Sequence, residues 1–263
     1  MNQQTLEPAS EPRRVLSLAM RQPGQVALIL AISMLGWAFL AWIALDMSHP
    51  VAQLTMPGSS SWSAGSVLVI LSMWAMMMGA MMLPPALPMI LTFVEVASRN
   101  GERRRAGSFV AAYLMVWFGF SAAATLAQWA LQAAGWVDPM IVSTSRVLTG
   151  LLLLIAGVYQ FSPLKKVCLA RCRTPMGFLI GEWRAGAGGA FVMGVRHGMF
   201  CLGCCWLLMA LLFAGGVMNL AWVAALSLAV AVEKLAPRGE WLAAALGLGL
   251  IAAGLLKLLV PAL

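Results

Sequence analysis

Long apolar runs separated by short polar segments organise this chain. The runs lie at about 24–45, 67–94, 108–134, 146–161, 191–216, 217–232 and 241–261. Apolar residues follow one another without the period-two alternation of barrel strands, so the runs predict helices. Most approach the roughly 20 residues that a helix needs to cross a bilayer; the fourth and sixth are short. Gly215-Gly216 sets a tight turn between the fifth and sixth. Residues 1–23 are polar, with Pro8, Pro12, Pro23, Arg13, Arg14 and Arg21, and predict a disordered cytoplasmic tail. The first run is too long for a signal-peptide core and lacks a clean small-x-small site after it, which predicts an uncleaved anchor. The expected fold is all-α: a polytopic transmembrane bundle of about seven spans, one domain over 24–263.

Composition agrees. Only 10% of the residues are charged against 62% apolar, too few to give a domain of this length a polar shell. Mean hydropathy is +0.88. Lipid is therefore the expected solvent, and in lipid each backbone amide must be satisfied within the protein. The net charge of +8 does not point to nucleic acid, because the basic residues sit in short loops between spans. With the N-terminus inside, cytoplasmic segments collect Arg99, Arg103, Arg104, Arg105, Lys165, Lys166, Arg171, Arg173, Arg184, Lys234 and Arg238. The opposite segments, about 46–66 and 135–145, hold Asp46, His49 and Asp138 but no Lys or Arg. The reverse orientation would violate the positive-inside rule at every loop.

Candidate chemistry is concentrated in the fifth run, which reads His197-Gly-Met-Phe-Cys201-Leu-Gly-Cys204-Cys205-Trp206. At about 100° per residue, His197, Cys201 and Cys204 share a face roughly 60° wide, with Cys205 and Met193 beside it. Along the axis, His197 and Cys204 stand roughly 10 Å apart. A compact four-ligand site therefore needs residues from another helix. Cysteine also packs as a small hydrophobe, but three within five residues, one turn from an intramembrane His, favour a metal or redox role.

In the second run Met73, Met77 and Met81 recur every fourth residue with Met76 beside them, while Met78, Met82 and Met89 point elsewhere. Thioethers are soft ligands suited to Cu(I); Met is equally a filler of irregular cores. Pro84, Pro85 and Pro88 are expected to break this helix. Outside the membrane, Met47, His49 and Met56 form a candidate docking site for metal. Inside, Cys168 and Cys172 lie one turn apart if their loop is helical, among basic residues that favour thiolate. Glu233-Lys234 closes the sixth run, and adjacent residues do not share a helix face, so the two are expected at the interface with separate partners.

Several of these stretches resemble a bacterial family. They are Met76-Met77-Met78-Gly-Ala-Met81-Met82-Leu-Pro84, Tyr159-Gln160-x-x-Pro163-x-Lys165-Lys166-x-Cys168-x3-Cys172, and Arg196-His197 through Cys201, Cys204-Cys205-Trp206 and Met209. Met218-Asn219 and Glu233-Lys234 complete the set. The family is that of predicted metal-binding integral membrane proteins, domain of unknown function 2182, and the resemblance covers about 60–235. It implies a multi-pass bacterial inner-membrane protein that binds metal.

The leading expectation is membrane-embedded binding of a soft transition metal, copper first, by Cys, His and Met ligands, with transfer across or within the inner membrane and a metallochaperone or cuproenzyme as partner. Lipid is the other expected partner. No nucleotide-binding loop and no phosphorylated-Asp motif is present, so the chain is not expected to pump with ATP and no catalytic residue is assigned. Two other readings stay open: a membrane thiol–disulfide oxidoreductase, and a non-catalytic assembly subunit whose Cys and Met only pack.

Overall fold

The computed structural model describes residues 11–57, 62–102 and 105–260. The first ten residues of the expected tail, and Arg103 and Arg104, lie outside them. Twelve helices follow in chain order: α1 (Glu11–Arg21), α2 (Pro23–Leu45), α3 (Pro50–Thr55), α4 (Ala64–Arg99), α5 (Ala106–Ala133) and α6 (Arg146–Tyr159). Then come α7 (Pro163–Arg173), α8 (Pro175–Glu182), α9 (Gly186–Ala210), α10 (Leu212–Gly215), α11 (Leu220–Leu235) and α12 (Gly239–Leu259). No strand occurs among the described residues.

Each of the seven predicted runs is helical, but fewer than seven are long enough to cross. Five helices, α2, α4, α5, α9 with α10, and α12, have the length and apolarity to span a membrane; α6 and α7 make a sixth if the bent pair counts as one. The sixth run is the shortfall. Helix α11 has 16 residues, about 24 Å at the α-helical rise, against a hydrocarbon core of about 30 Å.

Two other expectations need correction. Part of the segment expected to be disordered is helix α1. Leu18 and Gln22, one turn apart, are buried, and the Gln22 amide donates to the Leu91 carbonyl at 3.2 Å. A short polar segment with an apolar stripe folds when a partner receives that stripe, and α4 is the partner. The three prolines do not end α4, which runs on through Pro84, Pro85 and Pro88. Neighbouring groups and local adjustment allow such helices to continue through proline; Tyr113 Oη of α5 also donates to the Met82 carbonyl beside the first of them.

Small residues bring the helices together. A Cβ on Gly194 would overlap the Phe109 carbonyl of α5, and one on Gly198 would press on Val116. Gly150, Gly157, Gly247 and Gly254 perform the same service between α6 and α12. Such contacts let helix backbones approach closely. Gly194→Val is therefore expected to cost about 1–3 kcal/mol, read as a lower unfolding midpoint in detergent. A midpoint equal to wild type would contradict this packing.

One end of the bundle gathers the end of α7, the start of α9 and the turn from α11 to α12. The Arg173 guanidinium donates to the carbonyls of Glu233, Ala236 and Pro237, and Ser108 to that of Ala187. At the other end Arg146 donates to the carbonyls of Lys257 and Leu258, where a cation complements the C-terminus of α12.

Candidate metal centre

The local event that builds the site is the elbow after α6. Ser162 precedes Pro163, which holds it in extended conformation (ψ 144°), and its hydroxyl caps α7 by accepting from the Lys165 amide at 3.1 Å. The chain turns by 64°. Helix α7, expected as a loop cluster apart from the fifth run, instead lies along α9.

That packing joins two cysteine groups the sequence left separate. On α9, Met193, His197, Cys201, Cys204 and Cys205 are all buried, as the helical period predicts. Cys204 and Cys205 both donate their thiols to the Cys201 carbonyl at 3.0 Å. From α7, Cys172 faces Cys201 and Cys204. Cys168 settles against Gly203, where a Cβ would come within 2.7 Å of its sulfur. Glycine between the cysteines of α9 thus makes room for a cysteine of α7. All five are free thiols.

Lys234, at the end of α11, points into this cluster. Its ammonium donates to Cys201 Sγ at 2.9 Å and lies 3.9 Å from Cys205 Sγ. It is 7% exposed and forms no ion pair with a carboxylate among the described residues. A buried charge needs compensation, and thiolates are the groups at hand to give it. Glu233 turns the other way and binds Lys165 at 2.6 Å. The two neighbours thus meet separate partners, as expected, but in the interior rather than at an interface.

Tyr113 of α5 completes the surroundings. Its hydroxyl is 3.1 Å from Cys201 Sγ while donating to the Met82 carbonyl. The chain has only two tyrosines, and the other, Tyr159, donates to the Gly203 carbonyl. That scarcity, with both tyrosines ending on the cysteine stretch, was the signal that could have marked them. His197 is stacked on Phe109 and Tyr113 and edge-on to Phe178. Its Nδ1 is buried without a hydrogen-bond partner, an arrangement native proteins avoid unless another group meets it.

The methionines divide. Met73, Met77 and Met81 are buried, but so are Met78, Met82 and Met89; Met76 is 40% exposed and lines an outer groove with Ile32 and Phe118, away from the stripe. What hydrogen bonding brings from α4 to the cysteines is the Met82 carbonyl, through Tyr113. In the first loop, His49 Nδ1 caps α3 by accepting from Val51 and the ring sits edge-on to Trp42, while Met47 is exposed. That leaves one imidazole nitrogen for any ligand there. Among the described residues, no group of three or more His, Cys, Asp or Glu side chains already has the geometry to hold a metal ion.

A model of the family described as PpoB2, copper chaperone, matches residues 71–257. No curated protein and no solved structure matches the chain.

Proposed function

Because the chain belongs to the PpoB2 copper chaperone family, we propose that it carries Cu(I) within the membrane on the thiols of α7 and α9. The matched segment, 71–257, contains each cysteine, His197 and Lys234. The observation that carries the reading is that Cys201 Sγ lies 2.9 Å from the Lys234 ammonium, which forms no ion pair with a carboxylate among the described residues, while Cys172 faces it from α7. Thiolates are soft donors that select Cu(I), and Cys is the ligand only as thiolate. Two thiolates and one Cu(I) carry a net charge of −1, which Lys234 neutralises in a medium that tolerates no stray charge. His197 supplies a further nitrogen one turn along α9, and Tyr113 can hydrogen-bond a ligating sulfur. Outer-shell partners of this kind orient the ligands and tune the metal.

Metal analysis of the purified, fully reduced protein tests this. Cu(I) should be taken up and withheld from a competing chelator, and Zn(II) should compete poorly. Protein that neither retains nor takes up Cu(I) with its thiols reduced ends the proposal. The nearness of Cys172 to Cys201 and Cys204 also favours a second reading, thiol–disulfide exchange. Trapping a mixed disulfide at Cys172 with a substrate protein would favour it over metal carriage. The bacterial inner membrane is the proposed location, from the basic residues at one end of the bundle, with a metallochaperone or cuproenzyme as the proposed partner.

A further inference from the structure

A cavity of about 360 Å³ opens between α1, α4, α7 and α11, walled by Leu16, Ala19, Pro85 and Pro88 and reaching Cys172 and Lys234. Cys168, Cys201, Cys204 and Cys205 are buried, whereas Cys172 is partly exposed. Of the cluster, it is the cysteine that lines this opening. Arg173 and Lys234 are the charged residues of the lining, and no acidic side chain joins them. The two prolines have no amide N–H to offer, and the α1 wall is apolar. The volume falls within the range of small-molecule sites.

We propose that this cavity is the port at which a small anionic thiol of the glutathione type exchanges Cu(I) with Cys172. The proposal rests on the Cu(I) reading above. The lining supplies what such a carrier needs: the Arg173 charge for a carboxylate, apolar walls for its backbone, and one reachable sulfur. Cys172 Sγ attacks the carrier-bound Cu(I), a Cu–S bond forms to Cys172 and the carrier's Cu–S bond breaks. The Cys172 thiol proton passes to the departing carrier thiolate. Copper remains monovalent, so no electron acceptor is needed. From Cys172 the ion moves to Cys201, whose sulfur Lys234 already touches, by the same exchange of one thiolate for another. A cavity of about 360 Å³ suits a carrier of tripeptide size.

The full-length protein in nanodiscs, loaded with Cu(I), is mixed with isotopically labelled Cu(I)–glutathione. Ala19→Trp, or Leu16→Trp if the first folds poorly, narrows the port without touching a ligand. The bound copper at equilibrium should stay at the wild-type level, while exchange slows by about tenfold or more because the route alone has changed. Glutathione tethered to a long polyethylene glycol chain should exchange slowly even with wild type. Exchange at the wild-type rate in both tryptophan variants overturns the port, as does equally fast exchange with the tethered thiol. A copper-free arm keeps the two ideas separate: anionic iodoacetate should label Cys172 before the other cysteines, and either tryptophan variant should protect it. If wild type binds no Cu(I) yet this protection is seen, the metal reading has failed and the cavity stands as an anion-accepting route to Cys172. If the protection is absent, the port has failed.

Discussion

Replacing Glu233 with Leu is expected to destabilise the protein by about 3–5 kcal/mol, the loss typical of leaving one member of a buried ion pair alone. Lys165 and Glu233 are 1% and 3% exposed at their side chains and 2.6 Å apart, and Glu233 Oε1 has no other partner. Removal of the carboxylate strands an ammonium in the interior; Lys165→Met strands the carboxylate. Both single variants should unfold at lower denaturant in detergent micelles. The double variant Lys165→Met/Glu233→Leu should recover most of the loss, because an apolar pair avoids the desolvation that the ion pair had to offset. Single variants as stable as wild type, or a double variant no better than either, would show that water reaches this pair.

The second large effect is on metal affinity. Cys201 is the hub of the cluster: its sulfur meets Lys234 and Tyr113, its carbonyl receives the thiols of Cys204 and Cys205, and Cys172 approaches it from α7. Cys201→Ser replaces a soft donor by a hard one. Its Cu(I) affinity should fall by more than about 100-fold, since even groups that only support a ligand are worth about 10–100-fold. Lys234→Met belongs to that supporting class, with a loss of about 10–100-fold expected, and Lys234→Arg should lose less because the charge survives. Competition against a chelator of known strength reads all three. Equal affinity of Cys201→Ser and wild type would remove Cys201 from the site, and equal losses for Lys234→Met and Lys234→Arg would show that charge is not what Lys234 contributes.

The sequence made some of this legible and hid the rest for identifiable reasons. The face from His197 to Cys205 could be read because helical periodicity is a local property. The helices themselves could be read from uninterrupted apolarity, although hydropathy placed α11 as a crossing that its 16 residues are too few to make. The partner of that face was not legible. Pro163 stood in the sequence, but the side to which a 64° bend sends the chain depends on what α9 offers, including the space at Gly203. Periodicity grouped Met73, Met77 and Met81 on one stripe, and all three are buried, as are Met78, Met82 and Met89. It does not say which neighbour they face, and Met76 lies outside. Lys234 was read as interfacial because a charge at the end of an apolar run usually is; its burial follows from thiols supplied by another helix.

The elbow at Ser162–Pro163 also imposes an order in time. Helices emerge from the ribosome in sequence, so α7 is made with Lys165 unneutralised and waits for Glu233, 68 residues further on. Cys172 likewise waits for Cys201, and Cys201 for Lys234. Until α11 is synthesised, the half-built bundle holds a cation without its counter-ion and thiols without their ammonium. The proposed copper site would thus be complete only once α11 has been made and Lys234 is in place.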